Sequence, residues 1–232
     1  MVTPESLPSL DIGEKTGYRL VNSKFPPVSL FDDVASADEF EVAYALQALV
    51  NPRIQTEIGN LSLLRRDEIP YGIVGCSYAT APFTHVNPEG SRFSDGTYGM
   101  LYIGDTVETA IAEVSHHQRA YWGDVHGLKF ERFVFRELVV DFDGVAVRDA
   151  SDLSEEDSVY DPRDYTASRA LGIALRQGEA IGLQYRSVRH RGAKCWGFFT
   201  PKYVKRILQT AHYEMIWSGK DSPIEVCRLK SA

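Results

Sequence analysis

The sequence predicts an α+β fold, in which short strands form a sheet and two or three medium helices flank it. Three observations support this. The 232 residues are 44% hydrophobic and 25% charged, which is typical of a globular chain with a sizeable core. Short apolar runs bounded by Gly or Pro indicate buried strands. Longer segments repeat their apolar residues at helical spacing.

The N-terminal part is predicted to hold one strand and one helix. Gly17–Val21 alternates like a short strand, and Pro26-Pro27 ends it. Residues 37–50 have helical periodicity, with Ser36 or Asp38 as the N-cap. We expect residues 53–66 to add a second piece of helix or a loop, and residues 70–83 to hold a strand closed by Pro82.

The central block carries the clearest pattern. Gly99–Ile103 is a short apolar run that predicts a buried strand. Asp105, with Glu108 three residues later, predicts a capped helix that ends by Trp122-Gly123. Glu113 lies beside the apolar stripe of this helix, so it can line a cleft while the stripe packs into the core.

The C-terminal part is predicted to be rich in strands. Residues 130–147 contain two apolar runs, and residues 195–199 form another buried strand. Residues 166–178 show helical spacing, and residues 206–229 contain several short β-like runs.

Composition excludes several classes of function. A net charge of −7 argues against a nucleic-acid-binding surface. No apolar run approaches the ~20 residues that span a bilayer, and the N-terminus lacks a signal-peptide pattern. The three cysteines are odd in number and widely spaced, which predicts a cytoplasmic protein without a disulfide framework.

Four side chains stand out as candidates for a binding or catalytic site. Glu113 can stabilise a cationic transition state, although a lone helix glutamate is more often a solvated residue. Arg92, in a polar glycine-containing loop, offers a planar fork for phosphate oxygens or is a surface arginine. Arg19, inside a short strand, binds an anion or forms a buried ion pair. Tyr102 stacks on a flat ring or hydrogen-bonds a ribose, or it is a core aromatic at a strand edge.

Ser187 lies in a segment that is cationic although the chain as a whole is acidic. Its neighbours could hold a diphosphate, or they form a solvated basic loop: Arg186, Arg189, His190 and Arg191. No serine-hydrolase elbow surrounds Ser187. The histidines show no recognised metal spacing, so no metal site is predicted. The chain also lacks a Walker loop and a GxGxxG fingerprint.

In order and spacing, these segments resemble the RES-domain family of bacterial toxin–antitoxin toxins. The resemblance spans roughly residues 17–200 and rests on five matches to the family pattern: Tyr18-Arg19-Leu20, Ser91-Arg92-Phe93-Ser94, Leu101-Tyr102-Ile103 with Glu108–Glu113, Gly182–Ser187, and Trp196–Phe199. Residues 1–232 would then form a single RES-type domain, with a core of about 17–200 and an inserted helical segment of about 28–70.

The resemblance implies an ADP-ribosyltransferase-like fold, with a central split sheet of mixed or antiparallel strands flanked by helices. It also implies cleavage of NAD+, as substrate, at the nicotinamide–ribose bond. Arg19 and Arg92 would hold the diphosphate or orient the ribose, and Tyr102 would pack on nicotinamide. Glu113 would stabilise the oxocarbenium ion and bind a ribose hydroxyl. Ser187 would hydrogen-bond within the pocket, to the diphosphate or to Glu113.

The acceptor of ADP-ribose, whether water, phosphate or a protein, stays open at this point. The partner that the family implies is a cognate antitoxin protein that covers the active site. A different class of function is a non-enzymatic module that binds a phosphorylated ligand through the same arginines.

Overall fold

A computed structural model describes residues 2–25, 30–51 and 54–230. Nine strands and five α-helices are found within these ranges. The strands are β1 Ser9–Leu10, β2 Glu14–Asn22, β3 Leu101–Gly104, β4 Glu131–Asp143, β5 Val147–Asp149, β6 Gly182–Arg186, β7 Lys194–Phe198, β8 Val204–Trp217 and β9 Glu225–Leu229. The helices are α1 Ala37–Val50, α2 Ile54–Ile58, α3 Cys76–Thr84, α4 Val107–Gly123 and α5 Thr166–Gln177.

The strands form one mixed sheet in the order β1-β5-β6-β7-β3-β2-β4-β8-β9. β5 pairs with β6 in parallel, and the other described pairs are antiparallel. β2 and β3 share a single residue pair, Tyr18 with Gly104, whereas β2 pairs with β4 over nine residues. The sheet is therefore split between β2 and β3. The predicted α+β class with a split sheet and flanking helices is confirmed.

Gly17 permits the contact at which the two halves of the sheet meet. A Cβ atom at this position would lie 2.4 Å from the Ile103 side chain and 2.8 Å from the Gly104 carbonyl oxygen. A larger residue would push β3 away from β2 at their one point of pairing. Gly17 therefore allows the two strands to approach closely enough to pair there.

Helices cover the sheet on both sides. Alternate residues of β4 serve the two faces: Phe133 and Phe135 pack with the residues of α4, whereas Leu138 and Val140 belong to the core beneath α1–α3. A third cluster joins α5 to β6 and to the loop that precedes β3. The cluster beneath α1–α3 also contains Leu101 and Ile103 of β3, so it packs across the split in the sheet.

Most of the predicted elements are confirmed. The strand at Gly17–Val21 is part of β2, and the helix at residues 37–50 is α1, whose N-cap Ser36 accepts a hydrogen bond from the Glu39 amide. α1 and α2 lie within the segment predicted to be a helical insertion. The predicted break at Pro26-Pro27 lies outside the described residues.

The strand predicted within residues 70–83 is wrong, because this segment forms α3. The buried positions Cys76, Ala79, Thr80 and Phe83 follow a helical period. Gly75 caps the start of the helix with φ of +80°, and Pro82 lies in its last turn, where the missing N–H removes one i→i−4 hydrogen bond and favours the end of the helix at Thr84. The apolar run is too short to distinguish the two-residue period of a strand from the 3.6-residue period of a helix.

The predicted N-cap of α4 is wrong by one residue. Thr106 is the cap, and its hydroxyl accepts a hydrogen bond from the Thr109 amide at 3.2 Å. The Asp105 carboxylate instead accepts from the Thr109 hydroxyl at 2.6 Å and from the Lys194 amide at 2.8 Å. Asp105 therefore ties the start of α4 to β7. The predicted end of the helix at Gly123 is confirmed.

Candidate active site

The split between β2 and β3 opens into a cleft of about 260 Å³. β2, β3, the loop at residues 91–92 and α4 each supply part of its wall. Four of the residues singled out from the sequence line this cleft: Arg19, Arg92, Tyr102 and Glu113. The fifth, Ser187, stands behind Glu113 and contacts it directly.

The Glu113 carboxylate is held by Ser187. The Ser187 hydroxyl donates to Glu113 Oε1 at 2.7 Å and accepts from the backbone amides of Arg189 and His190 at 3.1 and 3.0 Å. Ser187 is buried, with 8% of its surface exposed. Two amides thus fix the hydroxyl, and the hydroxyl fixes one oxygen of the carboxylate. Glu113 Oε2 makes no hydrogen bond within the described residues.

Arg19 lies where the sheet splits. Its Nη1 donates to the Tyr102 carbonyl oxygen at 3.0 Å, across the gap between β2 and β3. No carboxylate among the described residues forms an ion pair with it, so the alternative of a buried ion pair is not supported. Burial lowers the pKa of the Arg19 guanidinium, but arginine ordinarily titrates above about 12, so it keeps its charge.

The Tyr102 hydroxyl anchors the loop that carries Arg92. It hydrogen-bonds with the Ser91 hydroxyl at 2.7 Å, accepts from the Phe93 amide at 3.1 Å and lies 3.3 Å from Met100 Sδ. Burial raises the pKa of Tyr102, so it remains a neutral phenol. Since these contacts occupy the hydroxyl, the ring is what Tyr102 offers to a ligand.

Arg92 is positioned by the segment that leads into α5. Its Nη1 donates to the carbonyl oxygens of Val159 and Asp161 at 3.2 and 3.0 Å, and its guanidinium lies 4.5 Å from the centroid of the Tyr165 ring. Arg169 of α5 also donates, through Nε, to the Ser91 carbonyl oxygen. The side chain of Arg92 and the backbone just before it are therefore both anchored.

A helix glycine allows this loop to approach α5. A Cβ atom on Gly172 would lie 2.0 Å from the Phe93 carbonyl oxygen, so only glycine fits there. Phe93 is fully buried and packs edge-on against Tyr185 at 4.9 Å between ring centroids. The residue that follows Arg92 is thus locked into the core.

The cationic side chains around Ser187 point to different parts of the protein. Arg186 donates to the Leu153 carbonyl oxygen and lies 5.0 Å from the Tyr160 ring centroid, and His190 Nδ1 lies 2.9 Å from the Thr109 hydroxyl. Both therefore have partners within the protein. Arg191 is exposed, whereas Arg189 reaches Tyr165. The four cationic side chains do not form one group.

Sequence reasoning missed several residues of the cleft, including His117, Tyr165, Tyr185 and Cys195. His117 lies one turn after Glu113 on α4, and that helical spacing is a signal that could have found it. The others come from elements distant in sequence. Burial raises the pKa of the Cys195 thiol, which keeps it protonated and inert as a nucleophile.

Burial and nearby arginines keep two adjacent histidines of α4 neutral: His116, and His117, which lines the cleft. Burial lowers the pKa of His116 to about 4, and Arg189 acts in the same direction. Burial also lowers the pKa of His117, against the opposing effect of Glu113. Across the described ranges, no group of three or more His, Cys, Asp or Glu side chains is arranged to hold a metal ion. No helix in these ranges is both long and apolar enough to cross a membrane.

Comparison with known proteins agrees with the family resemblance found in the sequence. A model of the RES domain matches residues 69–218. The uncharacterized protein y4oC of Sinorhizobium fredii is 28% identical over 204 residues, which cover 87% of this chain and 83% of the relative. A chain in the crystal structure of the M. tuberculosis MbcT–MbcA toxin–antitoxin complex superposes with a TM-score of 0.50 at 10% identity, covering 89% of each chain. The likeness confirms the predicted fold class.

Proposed function

Because this chain belongs to the RES-domain family, we propose that it is a toxin enzyme that cleaves NAD+ at the nicotinamide–ribose bond. One observation carries the proposal: a single carboxylate, held by a buried serine, lines the same cleft as two arginines that have no carboxylate partner among the described residues. Anionic substrate and cationic transition state each find a complementary charge there.

In this reaction the bond between the ribose C1′ and the nicotinamide nitrogen breaks, and its electron pair leaves with nicotinamide. Nicotinamide departs neutral, so no general acid is required. Glu113 faces the positive charge that develops on the ribose, and its free oxygen is available to a ribose hydroxyl. The Tyr102 ring packs on nicotinamide, because its hydroxyl is already bonded. Arg19 and Arg92 hold the phosphates or orient the ribose.

The acceptor that captures the oxocarbenium ion is water, phosphate or a protein nucleophile. With water, the products are ADP-ribose, nicotinamide and a proton. The antitoxin partner follows from the family and from the solved neighbour, which is a toxin in complex with its antitoxin. A partner that covers the cleft mouth with acidic side chains or a terminal carboxylate would block Arg92 and Glu113.

The test is incubation with NAD+ labelled in the adenosine part, with phosphate and a cell lysate supplied as acceptors. Chromatography measures the nicotinamide released, and the label shows which acceptor receives ADP-ribose. Glu113→Gln keeps the side-chain volume and removes the charge, and we expect a loss of about 10²–10³-fold. Glu108→Gln is the matched control, because Glu108 is exposed on the first turn of the same helix. If wild-type protein binds NAD+ without releasing nicotinamide, the non-enzymatic binding module is the better description.

A test in cells addresses the toxin role. Expression of the wild-type chain alone should arrest growth, Glu113→Gln should be harmless, and co-expression of the cognate antitoxin should restore growth. Normal growth with soluble wild-type protein present would contradict the toxin role.

A further inference from the structure

We propose that Arg92 and Arg189 form a clamp for the diphosphate at the mouth of the cleft, and that this clamp makes the enzyme select nicotinamide dinucleotides over the mononucleotide. The inference rests on the proposed function for its substrate. It assigns a binding role to Arg189, which lies two residues after the serine that holds Glu113.

The two guanidinium groups are anchored to the same short segment. Arg92 Nη1 donates to the Asp161 carbonyl oxygen, and Arg189 Nη2 donates to the carbonyl oxygen of Pro162, the next residue. Both also contact Tyr165: Arg92 stacks on its ring, and Arg189 donates to its hydroxyl at 3.3 Å. Each arginine therefore uses one terminal nitrogen for anchoring and keeps its remaining N–H groups for a ligand.

The charges of this pair are not balanced by the protein. Among the described residues, no carboxylate lies within ion-pairing distance of Arg92 or Arg189. The Asp161 carboxylate is near Arg92 but accepts from the backbone amides of Arg163 and Asp164. Two like charges fixed close together repel, and a bound anion with at least two negative charges removes that repulsion.

The position of the pair suits a diphosphate. The cleft volume of about 260 Å³ is below the roughly 300–1,000 Å³ of pockets that enclose a whole ligand, so part of a dinucleotide must lie outside it. Tyr165 belongs to the cleft wall, and Arg189, which does not line the cleft, donates to the Tyr165 hydroxyl. With the nicotinamide ribose at Glu113, phosphates placed beside Tyr165 would be within reach of both arginines. The start of α5 at Thr166 adds the positive end of a helix dipole.

The direct test measures binding of ADP and AMP, which lack nicotinamide, to the Glu113→Gln protein by calorimetry. We expect ADP to bind more tightly than AMP. Adding Arg189→Gln should weaken ADP binding by about 10- to 100-fold and AMP binding by less than about 3-fold, because the bonds to the second phosphate are lost. Arg163→Gln is the control, since it removes an equal charge from an exposed side chain next to Pro162.

The kinetic test compares nicotinamide release from NAD+ and from nicotinamide mononucleotide. Arg189→Gln should raise KM for NAD+ about 10-fold or more and leave the mononucleotide nearly unchanged. Arg189→Lys, which keeps charge but loses the planar fork, should be intermediate, and thermal melts verify folding. Equal losses for ADP and AMP, or unchanged ADP binding, would overturn the clamp. Absence of nicotinamide release from every substrate would overturn the proposed function, whereas an Arg189-dependent preference for ADP would still support the clamp.

Discussion

Replacement of Ser187 by alanine tests the bond on which the proposed mechanism depends. The substitution removes the hydroxyl that donates to Glu113 Oε1 at 2.7 Å and leaves the amides of Arg189 and His190 without their acceptor. A hydrogen bond to a charged group contributes about 1.5–3 kcal/mol. If that energy orients Glu113 in the transition state, kcat for nicotinamide release should fall about 10- to 100-fold.

The same substitution should also lower stability. Leaving a buried N–H without a partner costs about 1–3 kcal/mol, and in a chain of this size each kcal/mol lowers Tm by roughly 2–4 °C. We therefore expect a Tm lower by several degrees, with the protein still folded at 25 °C. Kinetics and melts must be measured together so that lost activity can be separated from lost protein.

Ser115→Ala is the matched control for this experiment. Ser115 lies on α4 like Glu113, and its buried hydroxyl has no hydrogen-bond partner in the described part of the chain. Removing it should be neutral or slightly stabilising and should leave kcat unchanged. Wild-type kcat in a well-folded Ser187→Ala protein would refute the idea that this serine positions the carboxylate.

Three further predictions concern the other parts of the site. Arg19→Ala and Arg92→Ala should each reduce kcat/KM for nicotinamide release about 10²-fold, and an unfolded variant in a thermal melt would instead make that arginine structural. Gly172→Ala should destabilise the protein by about 2 kcal/mol or more in denaturant titrations, because its Cβ would overlap the Phe93 carbonyl oxygen; an unchanged midpoint would contradict this close packing. Because burial lowers the pKa of His116 to about 4, the unfolded chain binds more protons between about pH 6.5 and 4, so stability should decrease as the pH is lowered through this window. His116→Gln should weaken that dependence.

The sequence predicts the parts of this site that depend on local structure. The strand before α4, the amphipathic spacing of α4 and its C-terminal end are local signals, and they place Glu113 and Tyr102 on adjacent elements. Local signals do not determine the N-cap of α4, since Asp105 and Thr106 are both good caps. The long-range bond between the Asp105 carboxylate and the Lys194 amide decides between them.

The features that the sequence does not predict depend on contacts between distant segments. Nothing local indicates that Arg92 would rest on Tyr165, more than 70 residues later, or that two amides would orient the Ser187 hydroxyl. The sequence gives no basis for distinguishing the cationic residues near Ser187. Their different positions follow from the carbonyl oxygens that they bind in the fold, since Arg186 donates to Leu153 and Arg189 donates to Pro162.

The split in the sheet has a consequence for how occupancy of the cleft could be detected. Beyond the single pair of Tyr18 with Gly104, β2 and β3 have no ladder between them, and the Arg19 guanidinium supplies a side-chain bond in its place. Amides on the facing edges of these strands should therefore exchange with deuterium faster than those between β2 and β4. A ligand that bridges the gap would slow that exchange, which reports binding without any turnover.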